Sequence, residues 1–181
     1  MLIAGTKHSG KSLCARALGK LIDSPSVDLD ELVQAQTGKS PRELFCDGKE
    51  FFQKAEAQAL ASLFKTSASR QNCLVISAGG GIVDNEEAMA LLRSLQQTHK
   101  PFVVCLDVSA ETAWQRILDS SGSIDGELPP FLNTGNPKET HLALHKRRAE
   151  AYKAMAAITI SADNMSPEEI AAEIAKHLPE F

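Results

Sequence analysis

Eight residues near the start of the chain, Gly5-Thr6-Lys7-His8-Ser9-Gly10-Lys11-Ser12, have the types and spacing of a phosphate cradle. The pattern G-x-x-x-x-G-K-S offers backbone N–H groups and the positive end of a helix to phosphate oxygens. Lys11 is placed to reach the β- and γ-phosphates, and the Ser12 hydroxyl to ligate Mg²⁺. Gly5, Ser9, Gly10 and Leu13 complete the set expected to face the nucleotide. A glycine turn before a helix also arises by chance, so its flanks decide. Leu2 to Ala4 reads as a buried strand, and Leu13, Ala17, Leu18 and Leu21 recur afterwards at helical spacing. Strand, loop and helix in that order are the context such a motif requires.

A second group of chemistry-bearing residues is Ser26-Val27-Asp28-Leu29-Asp30, read as a strand that ends in two carboxylates. In extended backbone, residues two apart face the same way. One reading makes Asp28 and Asp30 an N-cap pair for the helix expected from Glu31 to Gln36. The other uses them beside the phosphates, where a carboxylate supports Mg²⁺ through water or takes a proton from an acceptor hydroxyl. Gly79-Gly80-Gly81 is the third group, at the end of the apolar run Cys73 to Ser77. Three glycines in a row are entropically costly and are used where another group approaches the main chain closely; a plain flexible turn is the alternative. Lys146, Arg147 and Arg148 form a basic trio on a helix, which by itself reads as a solvated face.

The elements that must position these groups alternate regularly. Helices are expected over residues 41–47, 50–64, 85–97, 109–118 and 138–155, with Ser166-Pro167 opening the last one. Further strands are expected at 102–106 and 158–161. Lys65 to Asn72 reads as polar loop, and Trp114 as a core residue. The one long stretch without period, Ser120 to Pro137, has the length and composition of a lid. Strands alternating with helices predict an α/β domain of three layers, a parallel sheet wrapped on both faces, as a single domain over 1–181.

Composition narrows the functions. A formal charge of −4 argues against a nucleic-acid partner. No apolar run approaches membrane-spanning length, and the N-terminal segment reads as a strand rather than a signal peptide, so a cytoplasmic location is expected. Cys14, Cys46, Cys73 and Cys105 lack C-x-x-C spacing and read as small core residues in a reducing compartment.

Taken together, the motifs resemble shikimate kinase, a small P-loop kinase family. The resemblance runs through Gly5–Ser12, Asp28-x-Asp30, Thr37 to Phe45, Gly48 to Glu56, Gly79–Gly81 and Arg148-Ala149-x-x-Tyr152. It implies a five-stranded parallel sheet in the order 2-3-1-4-5, a monomer, and Mg²⁺-dependent transfer from ATP to a shikimate hydroxyl. It also implies that Lys11 and Ser12 hold phosphate and metal, that Asp28 supports the metal, and that Asp30 binds the acceptor hydroxyls and draws off the proton. By the same likeness, Gly79, Gly80 and Gly81 line the acceptor pocket, Arg148 pairs with the acceptor carboxylate, and Arg116 and Pro167 sandwich the adenine.

Two positions depart from the family pattern. Gln53 stands where the family has a second carboxylate-binding arginine, and Pro129 stands where its lid carries an arginine for the transferring phosphates. Three readings therefore stay open: a shikimate kinase, a related kinase with another acceptor, and a nucleotide-binding protein without turnover. Lys11, Ser12, Asp28, Asp30 and Arg148 together speak against the third, because binding ATP alone needs neither Asp30 nor Arg148.

Overall fold

The apolar runs fold as five short strands: β1 (Leu2–Gly5), β2 (Ser26–Asp28), β3 (Val75–Ser77), β4 (Val103–Asp107) and β5 (Ile158–Ser161). The computed structural model describes residues 1–67, 73–98, 101–124 and 128–178. All strand pairs are parallel, in the order β2-β3-β1-β4-β5, the order that the resemblance implied. Side chains alternate across each strand, so β1 serves two cores. Leu2 and Ala4 pack with Leu29, Leu60, Ile76 and Tyr152 on one face. Ile3 packs with Leu18, Val104, Ile170 and Ile174 on the other. Each fully buried aliphatic side chain contributes about 1.5–3 kcal/mol, which fixes the central strand firmly. Because the strands are parallel, Gly5, Asp28 and Ser77 end at the same edge of the sheet, with Asp28 in register with Ser77.

Eight helices are described: α1 (Lys11–Leu21), α2 (Leu29–Thr37), α3 (Pro41–Asp47), α4 (Lys49–Ser67), α5 (Glu86–Thr98), α6 (Ala110–Ile124), α7 (Pro137–Met155) and α8 (Pro167–Ala175). Capping explains several starts. Ser40 and Ser166 each form a capping box with a glutamate three residues on, and a proline occupies the first turn in both.

Several expectations need correction. In α1 the buried stripe is Lys11, Cys14, Ala15, Leu18 and Gly19, whereas Leu13 and Leu21 are 57% and 56% exposed. Small residues set that face because the helix lies close to its neighbours; a Cβ on Gly19 would come within 2.7 Å of the Ser24 carbonyl oxygen. Asp30 lies in the first turn of α2, not in the strand. Lys65 to Ser67 continue α4, and 68–72 fall outside the described residues. Within the stretch expected as a lid, α6 runs on to Ile124, Pro130–Leu132 form a 3₁₀ turn, and Pro137 already belongs to α7. Residues 125–127 fall outside the described residues. Cys14 and Cys105 are buried, but Cys46 is exposed and Cys73 half-buried, so only two of the four are core residues. Trp114 is buried beside Ile117 and Leu132.

Candidate active site

The phosphate loop leaves β1 through Gly5, whose φ of 148° suits glycine. A side chain there would meet the Leu106 carbonyl oxygen at 2.5 Å. His8 and Gly10 take left-handed conformations, with φ of 61° and 93°, and Gly10 is the N-cap of α1. Nothing lies within 4 Å of a Cβ built on Gly10, so the cradle is open there. The Lys11 ammonium donates to the Thr6 carbonyl at 2.8 Å. Burial pushes Lys11 down to about 8 against the pull of Asp30, and the Lys7 charge adds to the fall.

Asp28 caps α2 and also reaches the phosphate loop. One oxygen caps α2, accepting from the Asp30 and Glu31 N–H groups at 2.9 and 3.4 Å. The other accepts the Ser12 hydroxyl, whose oxygen also lies 3.4 Å from that of Ser77. Two hard oxygen donors, Ser12 Oγ and Asp28 Oδ2, thus meet beside the cradle, a donor set that fits Mg²⁺.

Asp30 faces a cavity of about 390 Å³ that is also lined by Lys7, Arg42, Gly79, Gly80, Gly81 and Arg148, with Phe45, Phe52, Pro130 and Phe131 as apolar wall. Asp30 Oδ1 is buried without a hydrogen-bond partner among the described residues. Burial raises the Asp30 pKa, Asp28 raises it further, and Lys11 and Lys7 oppose. A Cβ on Gly79 would lie 2.5 Å from Glu56 Oε1 and 3.1 Å from Asp30 Oδ1, so this glycine lets two carboxylates converge. On Gly80 it would collide with Lys7 backbone at 2.9 Å, and on Gly81 it would crowd Arg148 at 3.2 Å. The glycines admit close approach, as expected, but the approaching groups are the protein's own. Their carbonyls are engaged too: Tyr152 donates to Gly79 at 3.2 Å and Arg148 to Gly80 at 3.1 Å.

Arg148 alone of the basic trio turns inward. Its Nε and Nη2 contact Asp84 Oδ2 at 2.9 and 2.8 Å, while Arg147, with its side chain 62% exposed, reaches Asp84 at 2.7 Å. Burial pushes the Asp84 carboxyl up, but the two arginines outweigh it and hold its pKa below the ordinary value. Gln53 is not among the residues lining the cavity; its amide donates to the Asp84 carbonyl at 2.7 Å. Arg116 donates to the His8 carbonyl at 3.1 Å and to those of Ala162 and Asp163 at 3.4 Å, tying α6 to the loop. Pro167 opens α8 four residues beyond Asp163, and Leu13 is exposed on α1.

Three contributors escaped the sequence reading. Glu56 had a visible signal, a charged residue on the same helical face as Phe52, Ala59 and Leu60; it is 1% exposed and burial lifts it to about 7. Lys7 and Asp84 had none, because the first occupies a position that the loop pattern leaves unspecified and the second finds its arginine 64 residues away.

Sheet order, phosphate loop and a cavity at the strands' carboxyl ends define a P-loop kinase. The family model for shikimate kinase matches residues 7–179. A shikimate kinase from Salinispora tropica is 33% identical over 179 residues, covering 98% of this chain and 96% of that one. Its counterpart from Corynebacterium glutamicum is 29% identical, with 98% and 95% covered. Among solved structures, shikimate kinase from Acinetobacter baumannii in complex with shikimate superposes with a TM-score of 0.80 at 23% identity, over 97% and 90% of the two chains. The chain belongs to the shikimate kinase family.

Proposed function

We propose that this protein phosphorylates shikimate, transferring the γ-phosphoryl group of ATP to a ring hydroxyl. One observation carries the reading: the phosphate loop and the unpartnered Asp30 open onto the same cavity as Arg148. Lys11 would exchange its Thr6 carbonyl for the β- and γ-phosphates. Ser12 and Asp28 would hold Mg²⁺, which when bound neutralises phosphate charge. The acceptor oxygen attacks the γ-phosphorus, the bond to the ADP oxygen breaks, and the acceptor proton passes to Asp30. A raised pKa makes the ionised Asp30 a stronger base. Arg148 would receive the acceptor carboxylate, Gly79 to Gly81 would shape the floor, and Pro129 to Phe131 would close the roof as part of the lid. Arg116 and Pro167 would flank the adenine.

A second reading has a specific observation in its favour. Arg148 is already paired with Asp84, and Gln53 lies off the cavity lining, which suits an acceptor without a carboxylate. A coupled ADP-release assay with shikimate against neutral polyols and sugar acids separates the two. Shikimate-dependent turnover supports the first reading. Turnover only with a neutral polyol establishes the second, and nucleotide binding without turnover on any acceptor removes both.

A further inference from the structure

Phosphoryl transfer spreads negative charge over three equatorial oxygens, and a cation aimed at them is among the largest contributions a protein can make. Among the described residues, most candidate cations around this site are already engaged by oxygen atoms. Arg148 is held by Asp84 and the Gly80 carbonyl, and Arg116 by three backbone carbonyls. Lys11 donates to the Thr6 carbonyl and is not among the residues lining the cavity. Residues 120–137 contain neither arginine nor lysine, and the nearest cation beyond them is at 138. There Lys138 is exposed and paired with Glu111 at 3.2 Å. His8 lines the cavity, but burial and the surrounding Lys7, Lys11 and Arg116 charges push it down to about 4, so it is neutral at pH 7.

Lys7 is different. It sits in the phosphate loop, four residues before Lys11. Its main chain is fixed against Gly80, where an added Cβ would come within 2.9 Å of the Lys7 Cα. Its side chain lines the cavity, with the ammonium 5.8 Å from the centroid of the Phe131 ring. No hydrogen bond or ion pair to an oxygen is formed by its ammonium among the described residues. The carboxylate that acts on it electrostatically is Asp30, the group to which the proposed reading assigns the acceptor proton. A cation over an aromatic face at an exposed site is attracted more weakly than one that makes a charged hydrogen bond to phosphate. The Phe131 contact is therefore one that a bound triphosphate displaces.

We propose that Lys7 is a catalytic residue of this chain, its ammonium contacting the γ-phosphoryl group from the acceptor side of the phosphate loop. It exchanges no proton in the step. It holds charge on the phosphoryl oxygens while the bond to the acceptor oxygen forms and the bond to ADP breaks. The proposal rests on the kinase reading above for its rate prediction but not for its binding prediction.

The experiment uses Lys7→Met and Lys7→Arg in the full chain, with circular dichroism to show that both fold. Calorimetry compares ADP with the β,γ-imido analogue of ATP, each with Mg²⁺. Lys7→Met should weaken the triphosphate analogue about tenfold and leave ADP unchanged, and Lys7→Arg should restore most of the difference. With shikimate, Lys7→Met should lower kcat by about 10²- to 10³-fold with KM for shikimate within about threefold of the unaltered protein. A variant that discriminates triphosphate from diphosphate as before overturns the proposal, and so does a loss confined to KM for shikimate. If the unaltered protein turns over no shikimate, the kinase reading for that acceptor fails, and the nucleotide comparison alone decides the role of Lys7.

Discussion

Two cations at opposite ends of the proposed site, Lys11 in the phosphate loop and Arg148 on the cavity wall, are held in opposite ways. At the nucleotide end Lys11 rests on a neutral backbone carbonyl, the Thr6 oxygen at 2.8 Å. At the acceptor end Arg148 rests on a full carboxylate, two of its nitrogens on Asp84, with both side chains largely buried at 14% and 11% exposed. A cation is attracted more strongly by a full negative charge than by the partial charge of a carbonyl oxygen. On the proposed reading a phosphate would take Lys11 with little resistance, whereas an acceptor carboxylate would have to compete with Asp84 for Arg148. The site so read would be open to nucleotide and demanding toward acceptor.

The largest effect expected from breaking this contrast lies at the open end. Lys11→Ala should abolish turnover, by at least about 10³-fold, and calorimetry should show ATP affinity collapsing while the fold survives. The pH dependence sharpens the point. Burial holds Lys11 down to about 8, and only its protonated form would attract phosphate. ATP affinity should be flat below about pH 8 and fall as the pH rises above it; a profile flat to pH 10 would place the phosphate charge on another group.

Asp30 comes next. Asp30→Asn keeps size and hydrogen-bonding capacity but removes the base, and kcat should fall by about 10²- to 10⁴-fold. Its raised pKa says that the ionised form is unfavourable in the folded protein, so the melting temperature at pH 8 should not fall. A variant that keeps its rate and loses stability would reduce Asp30 to a helix residue.

This contrast also marks what the sequence alone discloses. The phosphate end is legible because local backbone geometry demands it: a loop with φ of 93° at Gly10 and a close approach at Gly5 needs glycine at those places. The strand order followed from the family resemblance and not from periodicity, since the periodicity of a short strand does not say which strand it lies beside. Helix faces were read less well. Leu13 and Leu21 suggested one stripe for α1, but the close fit at Cys14, Ala15 and Gly19 chose another. The run Ser-Ser-Gly-Ser reads as loop by composition, yet α6 continues through it to Ile124. The acceptor end was least legible. Asp84 and Arg148, or Gln53 and Asp84, meet across 64 and 31 residues, and no local pattern announces such a pair.

Glu56 tests the floor between the two ends. One of its oxygens accepts from Asn85 at 2.9 Å and the other has no partner among the described residues. Burial lifts its pKa from 4.5 to about 7, so the folded state holds this proton more tightly than the unfolded chain does. Its favourable contribution is complete below about pH 4.5 and is lost as the pH rises through about 7. Glu56→Gln keeps the bond to Asn85 and removes the charge. It should be more stable than the unaltered protein at pH 8, by up to about 3 kcal/mol, with the advantage gone near pH 4.5. Denaturant titrations at the two pH values check this, and an equal difference at both would show that Glu56 carries no such proton.

The smallest expected effect decides the acceptor end. Asp84→Asn preserves shape and one hydrogen-bond acceptor for Arg148 but removes the competing charge. If Asp84 acts as a rival to the acceptor carboxylate, the variant should bind shikimate more tightly. KM should fall about tenfold with kcat nearly unchanged, because a carboxylate remote from the reacting oxygen is held alike in ground and transition states. Gln53→Arg alone should do little, since its side chain is directed to the Asp84 carbonyl and would bring a third guanidinium to a carboxylate that already has two. With Asp84→Asn in place, the same Gln53→Arg change should lower KM further, because the added fork then has only the acceptor carboxylate to pair with. Steady-state kinetics on the two single variants and the double variant give the coupling directly. A rise in KM for Asp84→Asn would show the reverse arrangement, in which Asp84 aims Arg148 at the acceptor instead of competing for it. In that case the contrast between the two ends would be one of preparation, with the acceptor end aimed in advance and the nucleotide end left to adjust.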